Sequence, residues 1–513
     1  MAQVIPAIRV PTHCGSDITH RATSSRPNRY PLPMPPASLP KKNSARFVAA
    51  RAIGEAARDF PNIDIQSIDV DNIDHREGRL ALAIHRTVLQ RWLTIEYLLN
   101  GFLRKPMRTM EPELQGVLLT AGAQLLFMDR LPAHAVVDES VKLARGLVRA
   151  GATGLVNAVL RRISELSDAA VRGKAWTPAP NRLPLEDGFV PLRDDCLPPA
   201  GEYTDGKPGQ QFHDLEKHLS IATSHPLPIV RRWLKDFGPL KTIELTAHSV
   251  YMPPIVVAVE PGFTADPREL LAGSEVDPAE PMPVLWEPHV EPGFIVWQGP
   301  HSLLTQFLRG HAARRVQDVT SSLAVASTAA LTPSLILDYC AGRGTKTRQL
   351  AALHANANII ATDTDDERRG VLKGAFAHES RVRVVEVREV EAAVNRAKPQ
   401  AAGVDLLVLD VPCTNTGVLA RRPEARYRFN EATLKSLIRL QRQIVEKSLP
   451  LVAPGAHILY STCSIDSSEN QAQSAWIREQ FKCELVHESI VLPQGSGTSY
   501  RDGGFVSLMK KLV

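Results

Sequence analysis

From Val316 to Val513 the chain alternates apolar runs with stretches of helical periodicity, and that alternation constrains the fold more than any other feature of its 513 residues. The runs are LILDYC, NIIATD, RVRVVEV, DLLVLDVP and HILYSTCS. Most are near-continuously apolar, as strands buried on both faces are. Parallel strands need long crossover connections, usually helices, so the pattern predicts a doubly wound, mainly parallel α/β sheet. Ligands of such sheets bind beyond the carboxyl ends of the strands, so chemistry is expected in the residues that follow each run.

Other compositions come first. Up to Ile53 the only acid is Asp17, against eight Lys or Arg, and residues 1–43 are proline-dense. A floppy basic arm is expected there, with an organelle transit signal as the alternative. At Ser44 the composition changes. SARFVAARAIGEAARDF has apolar residues at helical spacing behind an N-cap serine, and further helical runs follow at 79–90, 95–103, 111–128, 135–149 and 154–166. Residues 44–166 therefore read as an all-α domain. Residues 167–211 are proline-rich and lose periodicity, the pattern of a linker or insert. Residues 212–315 contain LSIATSHPLPIVRRWLKDFG, read as one helix with Trp233 and Phe237 on one face, and then short strand-like runs (PPIVVAV, PVLWEP, FIVWQG). That is a small α+β module. The chain is thus multidomain, with a C-terminal α/β Rossmann-like domain over 316–513.

Composition removes several classes. With 44% hydrophobic and 22% charged residues the chain is neither wholly disordered nor collagen-like. Six scattered cysteines make no disulfide scaffold, and without a Cys-x-x-Cys pair no structural zinc or other metal is expected. The longest uncharged stretch, Val319 to Leu337, is broken by Ser, Thr and Pro333, so no membrane span is expected. A net charge of +5 permits a nucleic-acid partner without arguing for one.

The chemistry lies in three segments. LDYCAGRGTKT (337–347) follows a strand and opens a helix, and Gly342 and Gly344 allow a tight turn and close backbone approach to a ligand. The P-loop spacing is absent. Asp363, at the end of the second strand, suits the hydroxyls of a ribose, so the pair points to a nucleoside-containing cofactor; a purely structural turn is the alternative. In LLVLDVPCTNTGVLARRPEARYR, Asp410 sits at a strand end with Cys413 in the next turn. In LYSTCSIDSSEN, Cys463 holds the equivalent lip. The two cysteines converge on one sheet edge beside the glycine loop. Packing cysteines or a Cys413–Cys463 disulfide are the structural alternatives.

On these residues the chain resembles the Sun family of RNA 5-methylcytosine methyltransferases, most closely its bacterial 16S ribosomal RNA branch. DYCAGRGTKT looks like the family's S-adenosylmethionine loop, DVPCTNTGVLARRPEARYR its Pro-Cys motif and YSTCSIDSSEN its Thr-Cys motif. The tail VLPQGSGTSYRDGGFVSLMKK, the entry VQDVTSSLAV, and PAHAVVDESVKLARG with GLVNAVLRRI, similar to a NusB-like helical domain, also fit. The resemblance spans roughly Ser44 to Val513 and fails over the linker and arm. It implies a cytoplasmic S-adenosylmethionine-dependent enzyme that methylates cytosine C5 in RNA, with 16S rRNA as the substrate of the resembling branch. Cys463 is the implied nucleophile, Cys413 the residue that assists release, and Asp410 the one that hydrogen-bonds the base edge. Cys340, Ala341, Gly342, Arg343, Gly344, Thr345, Lys346, Asp363 and Asp410 are the implied cofactor residues.

Several positions depart from the pattern. Arg343 stands for the usual proline and Thr345 for a glycine, and a β-branched residue is awkward there if the backbone needs positive φ. Thr414 and Asn415 replace the common Ser-Gly, and an acid expected near the adenine appears as Arg388 between Glu386 and Glu389. Arg421, Arg422, Arg426 and Arg428 are candidate phosphate contacts, or else a solvated or ion-paired face. Rival functions are a non-catalytic RNA-binding or ribosome-assembly protein and a methyltransferase of transfer RNA or another RNA. A rival assignment exchanges the two cysteines.

Overall fold

The computed structural model describes residues 44–64, 68–203, 212–260, 262–264, 284–309, 311, 313–398 and 403–513. The basic arm expected over 1–43 lies outside the described residues. The chain forms two compact units, one reaching to Ala169 and the other comprising Ala170–Val513 with a short stretch beginning at Phe60.

The first unit is helical: α1 (Ala45–Asp59), α2 (His75–Asn100), α3 (Pro112–Phe127), α4 (Ala133–Leu143) and α5 (Thr153–Ser164). Ser44 Oγ accepts from the Phe47 N–H at 3.3 Å, the cap its position predicts. The runs expected at 79–90 and 95–103 are one helix, because Arg91–Thr94 between them contains no Gly or Pro to break it. α3 is buried on nearly every side, as a central helix must be. Its Gly116 lets α1 approach: a Cβ there would stand 2.2 Å from the Ala50 carbonyl oxygen.

The second unit holds three sheets. In the stretch expected to be a linker, β1 (Val171–Arg172), β2 (Arg182–Leu185) and β3 (Gly188–Pro191) form an antiparallel sheet in the order β1-β3-β2. Leu185 pairs Gly188, so Glu186 and Asp187 make a two-residue hairpin loop. The prolines at 184 and 191 hid the alternation that marks a strand. The helix expected around Trp233 is two, α6 (His213–Ala222) and α7 (Leu227–His248), the latter bent at Gly238 (φ 75°) before Pro239. A four-stranded antiparallel sheet follows, from β4 (Ile255–Ala258), β5 (Trp286–Pro288), β6 (Phe294–Trp297) and β7 (Arg315–Val316).

The largest sheet has seven strands: β8 (Leu335–Asp338), β9 (Asn358–Ala361), β10 (Val382–Val384), β11 (Val404–Asp410), β12 (Val452–Thr462), β13 (Cys483–Val491) and β14 (Gly504–Lys511). Their order is β10-β9-β8-β11-β12-β14-β13. The first five in that order are parallel and correspond to the five apolar runs; β14 and β13 complete the edge antiparallel. Apolar side chains cover both faces, Leu337, Leu407, Leu409 and Ile458 on one and Ile336, Leu406, Val408 and Leu459 on the other. The strand order reverses between β8 and β11, which opens a crevice at their carboxyl ends.

Candidate active site

The turn leaving β8 is shaped by its glycines. Gly342 (φ 58°) and Gly344 (φ 90°) take the left-handed conformations, while Thr345 begins the helix Thr345–Leu353, so its β-branch meets no strain. The difficulty foreseen at Thr345 is absent because the residue before it makes the turn. A Cβ on Gly344 would lie 2.7 Å from Leu372 and Phe376, whereas one on Gly342 would enter open space. Asp363 lies just beyond β9; one carboxylate oxygen accepts from the Gly342 N–H and the other from the Asp365 N–H, both at 2.9 Å. Each oxygen keeps a second lone pair for a donor such as a ribose hydroxyl. The open face over Gly342 and this anchored carboxylate fit a nucleoside cofactor.

Beneath the turn, Asp338 is fully buried and accepts from Thr347 Oγ1 at 2.7 Å; burial pushes its carboxyl up to about 7. The Cys340 thiol is also pushed up, by burial and the neighbouring carboxylates. Arg343 points out toward Glu367, and both are largely exposed. Arg388 likewise is exposed and pairs with Glu386, which with Glu389 caps the short turn after β10.

Lys346 donates to Asp410 Oδ2 at 2.7 Å and to Ser321 Oγ at 3.2 Å, so the structure pairs these two candidate residues directly. Burial works against its charge, but Asp410, with smaller help from Cys463 and Asp338, holds the ammonium above the usual lysine range. Asp410 Oδ1 accepts from Ser461 Oγ at 3.0 Å.

Cys413 and Cys463 come together, their sulfurs 3.2 Å apart and both free. That is far beyond a disulfide bond of about 2 Å. The Cys413 thiol is held well above its usual range by its hydrogen bond to Cys463 and by burial. Cys463 donates to Asn415 Oδ1 at 3.1 Å. One buried carboxylate ties the two loops: Glu469 accepts from the Thr414 N–H at 3.0 Å and from Gln441 Nε2 at 3.0 Å, and burial raises its carboxyl. Sequence reading missed Asn415, Glu469 and Gln441 as parts of the site. The signal for Glu469 is an acid six residues beyond Cys463, within the same motif. Beside Cys463 opens a cavity of about 360 Å³, whose walls include Ser321, Lys346, Ser461, Cys463, His487 and Gly503.

The arginines that follow the Pro-Cys loop do not share one surface. Arg426 is fully buried, donating to the carbonyls of Thr223, Ser249 and Leu419 and therefore unable to reach a phosphate. Arg421 is turned inward to Asp502, Asp318 and the Pro254 carbonyl. Arg428 pairs with Asp64 at 2.6 Å, and only Arg422 of the four is exposed.

A glycine turn and a ribose-ready carboxylate at the switch point of a doubly wound sheet, with paired thiols on the adjoining lip, belong to an S-adenosylmethionine-dependent RNA methyltransferase. Residues 329–504 match the family model described as 16S rRNA methyltransferase RsmB/F, and residues 43–165 match the NusB family. The chain thus carries its match to the NusB family in front of its match to the methyltransferase family model. It is similar to ribosomal RNA small subunit methyltransferase B of Xanthomonas campestris pv. campestris, with 28% identity over 78% of this chain and 79% of that one. A probable ribosomal RNA small subunit methyltransferase B of Bacillus subtilis is 24% identical over 90% of this chain and 95% of its own. The crystal structure of PH0851 shares the fold, with a TM-score of 0.63 at 19% identity, over 93% of this chain and 100% of that one.

Proposed function

We propose that this enzyme methylates C5 of a cytosine in 16S rRNA through a covalent bond between Cys463 and C6 of the base. The observation that carries the reading is the meeting of two free thiols 3.2 Å apart beside the Lys346–Asp410 pair. The names of the relatives support the small-subunit RNA as substrate.

Cytosine C5 is a weak nucleophile until a thiolate adds to C6 and makes it enamine-like. Cys463 lines the cavity with Lys346, and that position supports its assignment as the attacking thiol. Its proton is lost to solvent as sulfur bonds to C6, the C5–C6 electron pair shifts onto C4–C5, and N3 takes up a proton from solvent. Asp410 is assigned to the base edge near N3 and the amino group, where it stabilises the adduct. The turn from Cys340 to Lys346, with Asp363, would hold S-adenosylmethionine, which when bound would supply an electrophilic methyl group and leave as S-adenosylhomocysteine. After C5 gives up its proton, the bond between Cys463 and C6 breaks and the double bond is restored. Cys413 is assigned to assist this release.

The target cytosine must leave its stack to expose C6, so a single-stranded or looped site is expected. The helical domain and the small α+β module are read as widening the RNA footprint, and Arg422 as a phosphate contact beside the loop. Free thiols suit a reducing cytoplasm. The test is transfer of label from S-adenosylmethionine to unmodified 16S rRNA. Wild type should label cytosine and Cys463→Ala should fall by at least about a thousandfold, as loss of a nucleophile does. Full activity in Cys463→Ala overturns the assignment.

A further inference from the structure

Asn415 has a side-chain arrangement that the reaction scheme leaves unused. It is one of three non-glycine residues with positive φ among the described residues (φ 60°), at the position where the resembling pattern carries glycine. Asparagine tolerates this conformation better than most residues. Its Nδ2 donates to the Cys413 carbonyl at 3.0 Å, and its Oδ1 faces Cys463 Sγ at 3.1 Å.

The two contacts fix each other. A carbonyl oxygen only accepts, so the amide nitrogen must face Cys413 and the amide oxygen must face Cys463. An amide oxygen also only accepts, so Cys463 has to supply the proton. This orientation is compatible with the thiol and opposes the thiolate, whose charge would meet a second lone pair. We propose that Asn415 is a positioning residue that aims the Cys463 thiol and holds it protonated until RNA binds. For attack the amide must turn or the thiol must leave it, so activation is tied to arrival of the substrate. The proposal rests on Cys463 being the nucleophile.

Other groups stand near Cys463. Lys346, paired with Asp410, lines the same cavity, and Cys413, 3.2 Å away, can donate to the Cys463 sulfur. Asp318, His487 and Asp502 line the same cavity. Asn415 is thus one influence among several, and its contribution is measured by difference.

The experiment is alkylation of the full chain by iodoacetamide over a range of pH, without RNA or cofactor, with Cys463 read by peptide mass. Asn415→Gly keeps the left-handed turn and removes the acceptor. It should lower the pH midpoint of Cys463 alkylation and raise the neutral-pH rate about fivefold, the worth of one ordinary hydrogen bond. Asn415→Asp, which places a carboxylate there, should move the midpoint up. Both variants should melt as a single folded species near wild type. A wild-type midpoint in Asn415→Gly, or a downward shift in Asn415→Asp, overturns the proposal. If Cys463 is not the nucleophile, Cys463→Ala will still methylate RNA while these midpoints still move, so the two failures are distinguishable.

Discussion

The carboxyls of Asp338 and Glu469 are held out of water in the site, and this has consequences for stability as well as chemistry. Asp338 lies under the cofactor turn with its carboxyl raised to about 7 by burial. Its value in the folded chain exceeds the ordinary value of about 4, so between the two the folded chain binds more protons than the unfolded one. Stability from this group is therefore lost as pH rises from about 4 to about 7. Asp338→Asn should flatten that part of the urea-melting profile by on the order of 1 kcal/mol per pH unit; an unchanged slope contradicts the assignment. At this scale much of the site was legible. Asp363, Asp410, Cys413 and Cys463 end or follow apolar strand runs, and strand ends in a doubly wound sheet converge. Arg426 reads as solvated because a basic residue after a loop usually is, whereas two of the carbonyls it reaches, those of Thr223 and Ser249, belong to distant segments. Glu469 is not singled out by the sequence, and Asn415 shows there only as a departure from the pattern, because their contacts lie 55 and 48 residues away.

Elements were legible where periodicity was clean and misread where breakers obscured it. The five parallel strands were read from continuous apolar runs, since burial on both faces leaves no polar positions. The hairpin of β2 and β3 lies in the stretch that reads as a linker or insert because prolines interrupt its alternation, and its two-residue turn is Glu186-Asp187. The long helix α2 appeared as two because Arg91 and Thr94 are polar, yet both are buried. Thr345 shows the reverse, a strain anticipated from composition that the preceding glycine removes. Helix contact in the first unit depends on Gly116, where a methyl group would press on the backbone of α1. Gly116→Ala should therefore destabilise that unit by about 1–3 kcal/mol despite alanine's better helix propensity, measured by thermal melting of the full chain. A more stable variant would show that the helices do not pack as described.

Over the whole molecule, net charge says little about the RNA face. The chain carries +5, but two of the arginines that suggested a phosphate-binding stripe are spent on internal acids and carbonyls. Cysteine usage is more informative. The five cysteines among the described residues are all free, and two of them, from separate strand ends, meet as thiols at the edge of the cofactor turn. The central claim is that these thiols divide attack and release between them. The direct measurement is Cys413→Ala incubated with unmodified 16S rRNA and S-adenosylmethionine and run on a denaturing gel. The account predicts a protein–RNA adduct that persists in denaturant and disappears when Cys463→Ala is added. Rapid turnover with no adduct in Cys413→Ala, or an adduct that survives Cys463→Ala, would contradict it.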